Sequence, residues 1–231
     1  MEKVSRRKKV AIPNQRQQNN PDKTFDSGVT KMSQAKVLTD KELRKVLLYC
    51  AAHKHPLRNK AMLLMTHLAG MRVGEVSAVR ICDVLEADGS VKTAVALSAE
   101  QTKGKRGRTV LLPKRLQEVL SEYLLARYSK EQLIALLHTD KAQHALFPSQ
   151  KNPTRGFTAN TLCQHFHYLY KRAGVFGASS HSGRRSFITG LADKGVGVRV
   201  LMELAGHRSP AVTMRYIDAS PAVMRAAVEL I

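Results

Sequence analysis

The sequence predicts a mainly α-helical domain with a small antiparallel β-sheet (α+β), and three observations carry that reading. Apolar residues recur at helical spacing behind helix-starting Thr and Ser residues through much of the chain. One stretch, from about residue 84 to 112, alternates instead and is punctuated by glycines, as antiparallel strands are. The last quarter is broken by Gly195, Gly206, Pro210 and Pro221 into short helices.

Residues 1–36 read as a basic, poorly ordered arm, with the run Arg6-Arg7-Lys8-Lys9 and a polar stretch from Gln15 to Asn20. A domain over 37–231 follows. Thr39 and Glu42 form a capping box for a helix with Leu43, Val46, Leu47 and Cys50 on one face. A second helix starts at Pro56, buries Ala61, Leu64, Met65 and Leu68, and stops at Gly70. Arg72 follows that glycine at a junction, where Glu75, three residues on, can hold it. A hairpin is expected from Val84-Leu85 through a turn at Asp88-Gly89 into Val91–Leu97, then a third strand from Thr109.

The loop between those last strands holds Lys103, Lys105, Arg106 and Arg108 with two glycines. It suits insertion beside a DNA backbone, or simply keeps a turn solvated. Pro113 opens a helix with Leu116, Leu120 and Tyr123; Ser129 and Gln132 box the next; Thr158 caps one that ends at Gly174. His165 and His167 lie two apart on it and face different sides, which disfavours a shared metal. The final helices span about 182–194, 198–205, 210 past 214, and 221 to the end. Ser209 and Ser220 stand as N-caps before prolines.

The charge narrows the function. With 38 basic against 18 acidic residues the chain carries a formal +20, which repels itself unless a polyanion is the partner. Nucleic acid is the expected one, anionic membrane the weaker alternative. No apolar run approaches about 20 residues and no signal-peptide core is visible, so a cytoplasmic, DNA-associated protein is expected. Cys50, Cys82 and Cys163 are scattered without metal-ligand spacing and read as reduced, packed thiols.

The chemistry concentrates near the end. His181 and Arg184 sit three apart, Gly206-His207 follows a short apolar run, and Tyr216 comes soon after. A guanidinium clamps phosphate oxygens with paired donors, an imidazole shuttles a proton, and a phenol can attack phosphorus. A phenol of pKa near ~10 needs a base or a cationic field to do so at neutral pH, and Arg184 with the two histidines contributes to one. There is no Walker loop and no acidic cluster for a metal, so no cofactor is expected.

Taken in order, Ala69-Gly-Met-Arg-Val-Gly-Glu75, Thr102-Lys-Gly, His181-Ser-Gly-Arg184, Ala205-Gly-His207 and Tyr216 resemble the motifs of the tyrosine recombinases, the phage-integrase family, over roughly residues 37–231. The resemblance implies that fold and a site-specific recombinase cutting double-stranded DNA through a 3′-phosphotyrosyl bond. Arg72 and Arg184 would hold the phosphate, His207 would hydrogen-bond it, and His181 would assist proton transfer from Tyr216. Lys103 would protonate the leaving 5′-oxygen, and Glu75 would support Arg72. It further implies a tetramer on two DNA sites and a monomer when DNA is absent; without a clamp around the duplex, dependence on the arm or on DNA-bending helper proteins is expected. A non-cutting DNA-binding protein on the same fold and a type IB topoisomerase are the competing readings.

Two departures stand out. Arg185 occupies the position where many members have a histidine. Only the basic arm stands where most carry a further DNA-binding domain of about 100 residues, so the chain looks like the short, single-domain members. The last helix bears Val223, Met224, Ala227, Val228 and Ile231 on one side, either as core or as a link to a neighbouring subunit.

Overall fold

The computed structural model describes residues 34–151, 154–217 and 221–229, with the side chains of 221–223 and 226 left aside. Arg6, Arg7, Lys8, Lys9, the 15–20 stretch, Ser220, the side chain of Val223 and Ile231 lie outside the described residues.

Chain order is α1 (Asp40–Ala51), α2 (Pro56–Leu68), α3 (Val73–Ala78), α4 (Ile81–Val84), β1 (Ala94–Leu97), β2 (Arg108–Leu111), α5 (Lys114–Leu125), α6 (Lys130–Leu137), α7 (Ala159–Arg172), α8 (Ser182–Ala192), α9 (Val198–Ala205), α10 (Pro210–Met214) and α11 (Pro221–Val228). A 3₁₀ turn, Asp140–Gln143, follows α6. The caps form as the sequence predicts. Thr39 Oγ1 accepts from Glu42 N while Glu42 reaches back to Thr39 N, Ser129 and Gln132 do the same, and Thr158 accepts from Thr161 N.

The core is built around α2, whose residues 61–66 are all buried, and which packs against α1, α3, α5 and α8. The contact with α8 needs a residue without a side chain. A Cβ on Gly183 would collide with the Thr66 hydroxyl, so Gly183 lets the helix carrying Arg184 sit directly on the central helix.

One expectation is corrected. Val84 closes the single turn α4 instead of entering a strand, and the first hairpin is reduced to one bridge, Leu85 with Val91. The Asp83 carboxylate is the cause: it accepts from Arg80 N at 2.8 Å and from Gln101 Nε2 at 2.6 Å, capping a helical turn where a strand is expected. Among the described residues regular pairing is confined to β1 and β2, antiparallel, with Ala94 opposite Leu111 and Leu97 opposite Arg108. That short ribbon places the loop 98–107 beside the end of α9. Among the described residues no helix is long and apolar enough to cross a membrane.

Candidate active site

The site is assembled at the C-terminal end of α9. Gly206 ends this helix with φ 60° and ψ 46°, the left-handed conformation that a side chain disfavours. A Cβ there would also lie 2.5 Å from the Arg108 Cδ. The helix end leaves carbonyls without intrahelical donors, and the partial negative charge there favours cations. Three guanidiniums from three separate segments meet them in succession. Arg108 of β2 donates to the Leu204 carbonyl at 3.1 Å, Arg184 of α8 to the Ala205 carbonyl, and Arg72 to the Gly206 carbonyl at 3.2 Å. Arg184 also donates to the Gly70 carbonyl at 2.6 Å, which ties α8 to the end of α2.

Glu75 holds two of the three. Its carboxylate, 1% exposed, accepts from Arg72 N at 2.8 Å and Arg72 Nη1 at 2.9 Å. It also accepts from Arg108 Nε at 3.1 Å and Nη2 at 2.7 Å. Burial pushes its pKa up, but the Arg108 bonds and charge, joined by Arg72, outweigh burial and leave it below the ordinary carboxylate range. Arg184, 4% exposed, bonds to carbonyls through both Nη atoms. Burial, then repulsion from Arg72, pulls its pKa down to about 9. The cluster therefore carries more positive charge than Glu75 balances, and an anion fits it.

The histidines and the tyrosine lie around this centre. His181 is the solvent-facing residue that opens α8. Its pKa is lowered by partial burial and then by Arg184, Lys103 and Arg72, which favours the neutral imidazole that can accept a proton. His207 follows Gly206 and is held to about 4 by burial, then Arg184, Arg72 and Arg108. Its Nδ1 lies 2.9 Å from the hydroxyl of Thr213, which is fully buried. If that hydroxyl donates to Nδ1, Nε2 carries the proton and is free to donate outward. Tyr216 lies just past α10, its ring stacked on His207 with centroids 5.5 Å apart. The Arg185 guanidinium lies 5.6 Å from the Tyr216 ring centre, and Thr189 bonds the Tyr216 carbonyl at 3.1 Å. Arg185 thus contacts the phenol from a position that sequence reading treats only as a departure.

Lys103 projects from the exposed loop between β1 and β2 and lines a cleft of about 830 Å³ with Arg72, His207 and Arg208. Lys105 and Arg106 are exposed on the same loop, whereas the Arg108 side chain is 10% exposed and engaged by Glu75. Sequence reading missed Thr213 and Arg208. The only hint for Thr213 is a polar residue on the inner face of a short helix, and Arg208 carries no signal beyond adjacency to His207. Among the described residues no cluster of His, Cys, Asp or Glu could hold a metal.

Comparison with known proteins places the chain in a family. Residues 36–222 match the family model described as the phage integrase family. Tyrosine recombinase XerA of Pyrococcus furiosus is 25% identical over 194 residues, 84% of this chain and 61% of that protein. Tyrosine recombinase XerC of Myxococcus xanthus is 30% identical over 162 residues, 69% of this chain and 50% of that protein. The chain thus spans about half to three-fifths of the length of these relatives. In fold it is similar to the crystal structure of XerA recombinase, with TM-score 0.65 and 21% identity over 91% of this chain and 66% of that one. It is similar also to the catalytic domain of bacteriophage HP1 integrase, with TM-score 0.55 and 18% identity over 85% and 95%.

Proposed function

This chain belongs to the phage integrase family, and we propose that it is a site-specific DNA recombinase of the cytoplasm that breaks and rejoins strands through Tyr216. The reading rests on one observation above others: Arg72, Arg108 and Arg184 converge on a helix end with a single carboxylate between them, beside a tyrosine stacked on a neutral histidine. A phosphodiester supplies the missing negative charge.

In the proposed step Arg72 and Arg184 bind the non-bridging oxygens and stabilise the charge that builds on them in the pentacoordinate transition state. His207 donates to the same phosphate. The Tyr216 hydroxyl passes its proton to His181 as its oxygen bonds to phosphorus. The bond from phosphorus to the 5′-oxygen breaks, and that oxygen takes a proton from Lys103. The phosphotyrosyl bond keeps the energy of the diester, so a 5′-hydroxyl from a second duplex reverses the reaction without ATP. Exchange between two duplexes requires four cleavages, and with one nucleophilic tyrosine, Tyr216, per chain that calls for four copies on two sites.

Lys105, Arg106 and the run Arg6-Arg7-Lys8-Lys9 serve as phosphate contacts in this reading, with DNA-bending proteins as helpers. A nicked duplex whose short cleaved fragment diffuses away tests the function. Wild type should accumulate a denaturant-stable protein–DNA adduct that Tyr216→Phe does not form. No adduct from wild type would favour a non-cutting DNA binder, and an adduct without exchange between two sites would favour a topoisomerase.

A further inference from the structure

The loop carrying Lys103 poses an electrostatic problem. Lys103 and Arg106 line a cleft together with Arg72, Arg108 and Arg208, and like charges should lift the loop away when no phosphate lies between them. It nevertheless sits down, held by cations that use backbone carbonyls and one carboxylate as acceptors. At the tip, Arg208 Nη2 donates to the Gly104 carbonyl at 2.6 Å. The fit is close: a Cβ on Gly104 would stand 2.9 Å from that nitrogen. At the root, Arg108 leads into β2 and is bound to Glu75 and to the Leu204 carbonyl. At the opposite root, Gln101 donates to the Ala78 carbonyl and to Asp83. The span between is closed on itself, since Thr102 Oγ1 donates to the Arg106 carbonyl at 2.7 Å and accepts from Arg106 N at 3.2 Å. The loop is therefore a closed unit fixed at two roots and one tip, with Lys103 next to the tip anchor.

We propose that Arg208 and Arg108 are positioning residues that hold the Lys103 loop over the cleft, setting the proton donor against the segment that carries His207. This rests on the reading of Lys103 as the group that protonates the leaving 5′-oxygen. The balance of that step is unchanged: the Nζ proton moves to O5′ as the bond from phosphorus to O5′ breaks and the Tyr216 bond forms. Arg208 and Arg108 exchange no proton.

A substrate with sulfur in place of the bridging 5′-oxygen separates positioning of the acid from general support of the fold. A thiolate leaves without protonation, its conjugate acid having a pKa of about 8.5, so defects in the acid disappear on sulfur while other defects remain. Single-turnover cleavage of the oxygen and sulfur substrates is measured for wild type, Lys103→Ala, Arg208→Ala and Arg108→Gln. Arg208 is exposed, so its variant should fold as wild type does. The loss of one hydrogen bond to a charged donor predicts about a 10-fold slower reaction on oxygen and sulfur cleavage within about 2-fold of wild type. Arg108→Gln, if it folds, should lose more on oxygen than on sulfur as well. Equal losses on both substrates in Arg208→Ala, alongside a selective loss in Lys103→Ala, would overturn the positioning role alone. No selectivity in Lys103→Ala would overturn the reading of Lys103 and this inference with it.

Discussion

Replacing Glu75 by Gln gives the sharpest energetic test of how the site is held. The carboxylate is 1% exposed and accepts four hydrogen bonds from Arg72 and Arg108, whose side chains are 30% and 10% exposed. Gln keeps the shape but removes the charge, and its amide turns N–H groups toward two guanidiniums. Removing one partner of a buried ion pair costs about 3–5 kcal/mol, and the partial exposure of Arg72 argues for the lower end, about 3 kcal/mol. At about 2–4 °C per kcal/mol for a domain of this size, Tm should fall by about 6–12 °C. Thermal unfolding followed by circular dichroism reads this directly. Cleavage should drop by about 100-fold, because Arg72 loses the partner that aims it. Bound DNA should narrow the Tm deficit, since the scissile phosphate supplies negative charge to the same arginines. A Tm within about 2 °C of wild type, with cleavage intact, would refute the account of Glu75 as the hub.

Other perturbations separate the remaining parts. Arg185→Ala removes the cation beside the Tyr216 ring and should slow cleavage by about 3- to 10-fold at unchanged stability, read in single-turnover assays. Gly206→Ala forces a side chain into φ 60° and against Arg108. It should cost at least about 1–2 kcal/mol in urea unfolding, with cleavage falling further because Arg108 must move. His165, bonded to Asn59 Oδ1 at 3.0 Å, is held to about 4 by burial, then Arg58 and His55. Its folded pKa lies below the unfolded value near ~6.5, so its contribution is complete above that pH and is lost as pH falls toward 4, by at most about 3 kcal/mol. His165→Gln should flatten that acid limb, and an unchanged limb would contradict the assignment. Changing Arg6, Arg7, Lys8 and Lys9 to Ala should reduce the slope of log affinity against log salt by about 0.9 for each phosphate the arm no longer neutralises.

Local signals make most of the helices legible in the sequence. Thr39, Ser129 and Thr158 sit where caps belong, and Gly70, Gly174 and Gly206 stop helices in the left-handed conformation. Val84 misleads because a side chain decides the local structure: Asp83 caps a turn with help from Gln101, eighteen residues on, and no window of alternating hydrophobicity spans that pair. The bond between Arg108 and Glu75 joins residues 33 apart and is equally out of reach. In the sequence Arg108 is one cation among four in a loop, although Glu75 among Val73, Val76 and Val79 marks a charge on an apolar face that needs a buried partner. The motif order reveals which residues could meet. The bonds from Arg72, Arg108 and Arg184 to carbonyls 204–206 require the fold.

The most direct test of the central claim is to find the atom that DNA becomes attached to. Adduct trapped on a nicked duplex is digested with nuclease and protease, and the modified peptide is sequenced by mass spectrometry. The account predicts a nucleotide joined through its 3′-phosphate to the Tyr216 oxygen and to no other side chain. Attachment through a 5′-phosphate, or to a residue other than Tyr216, would contradict it.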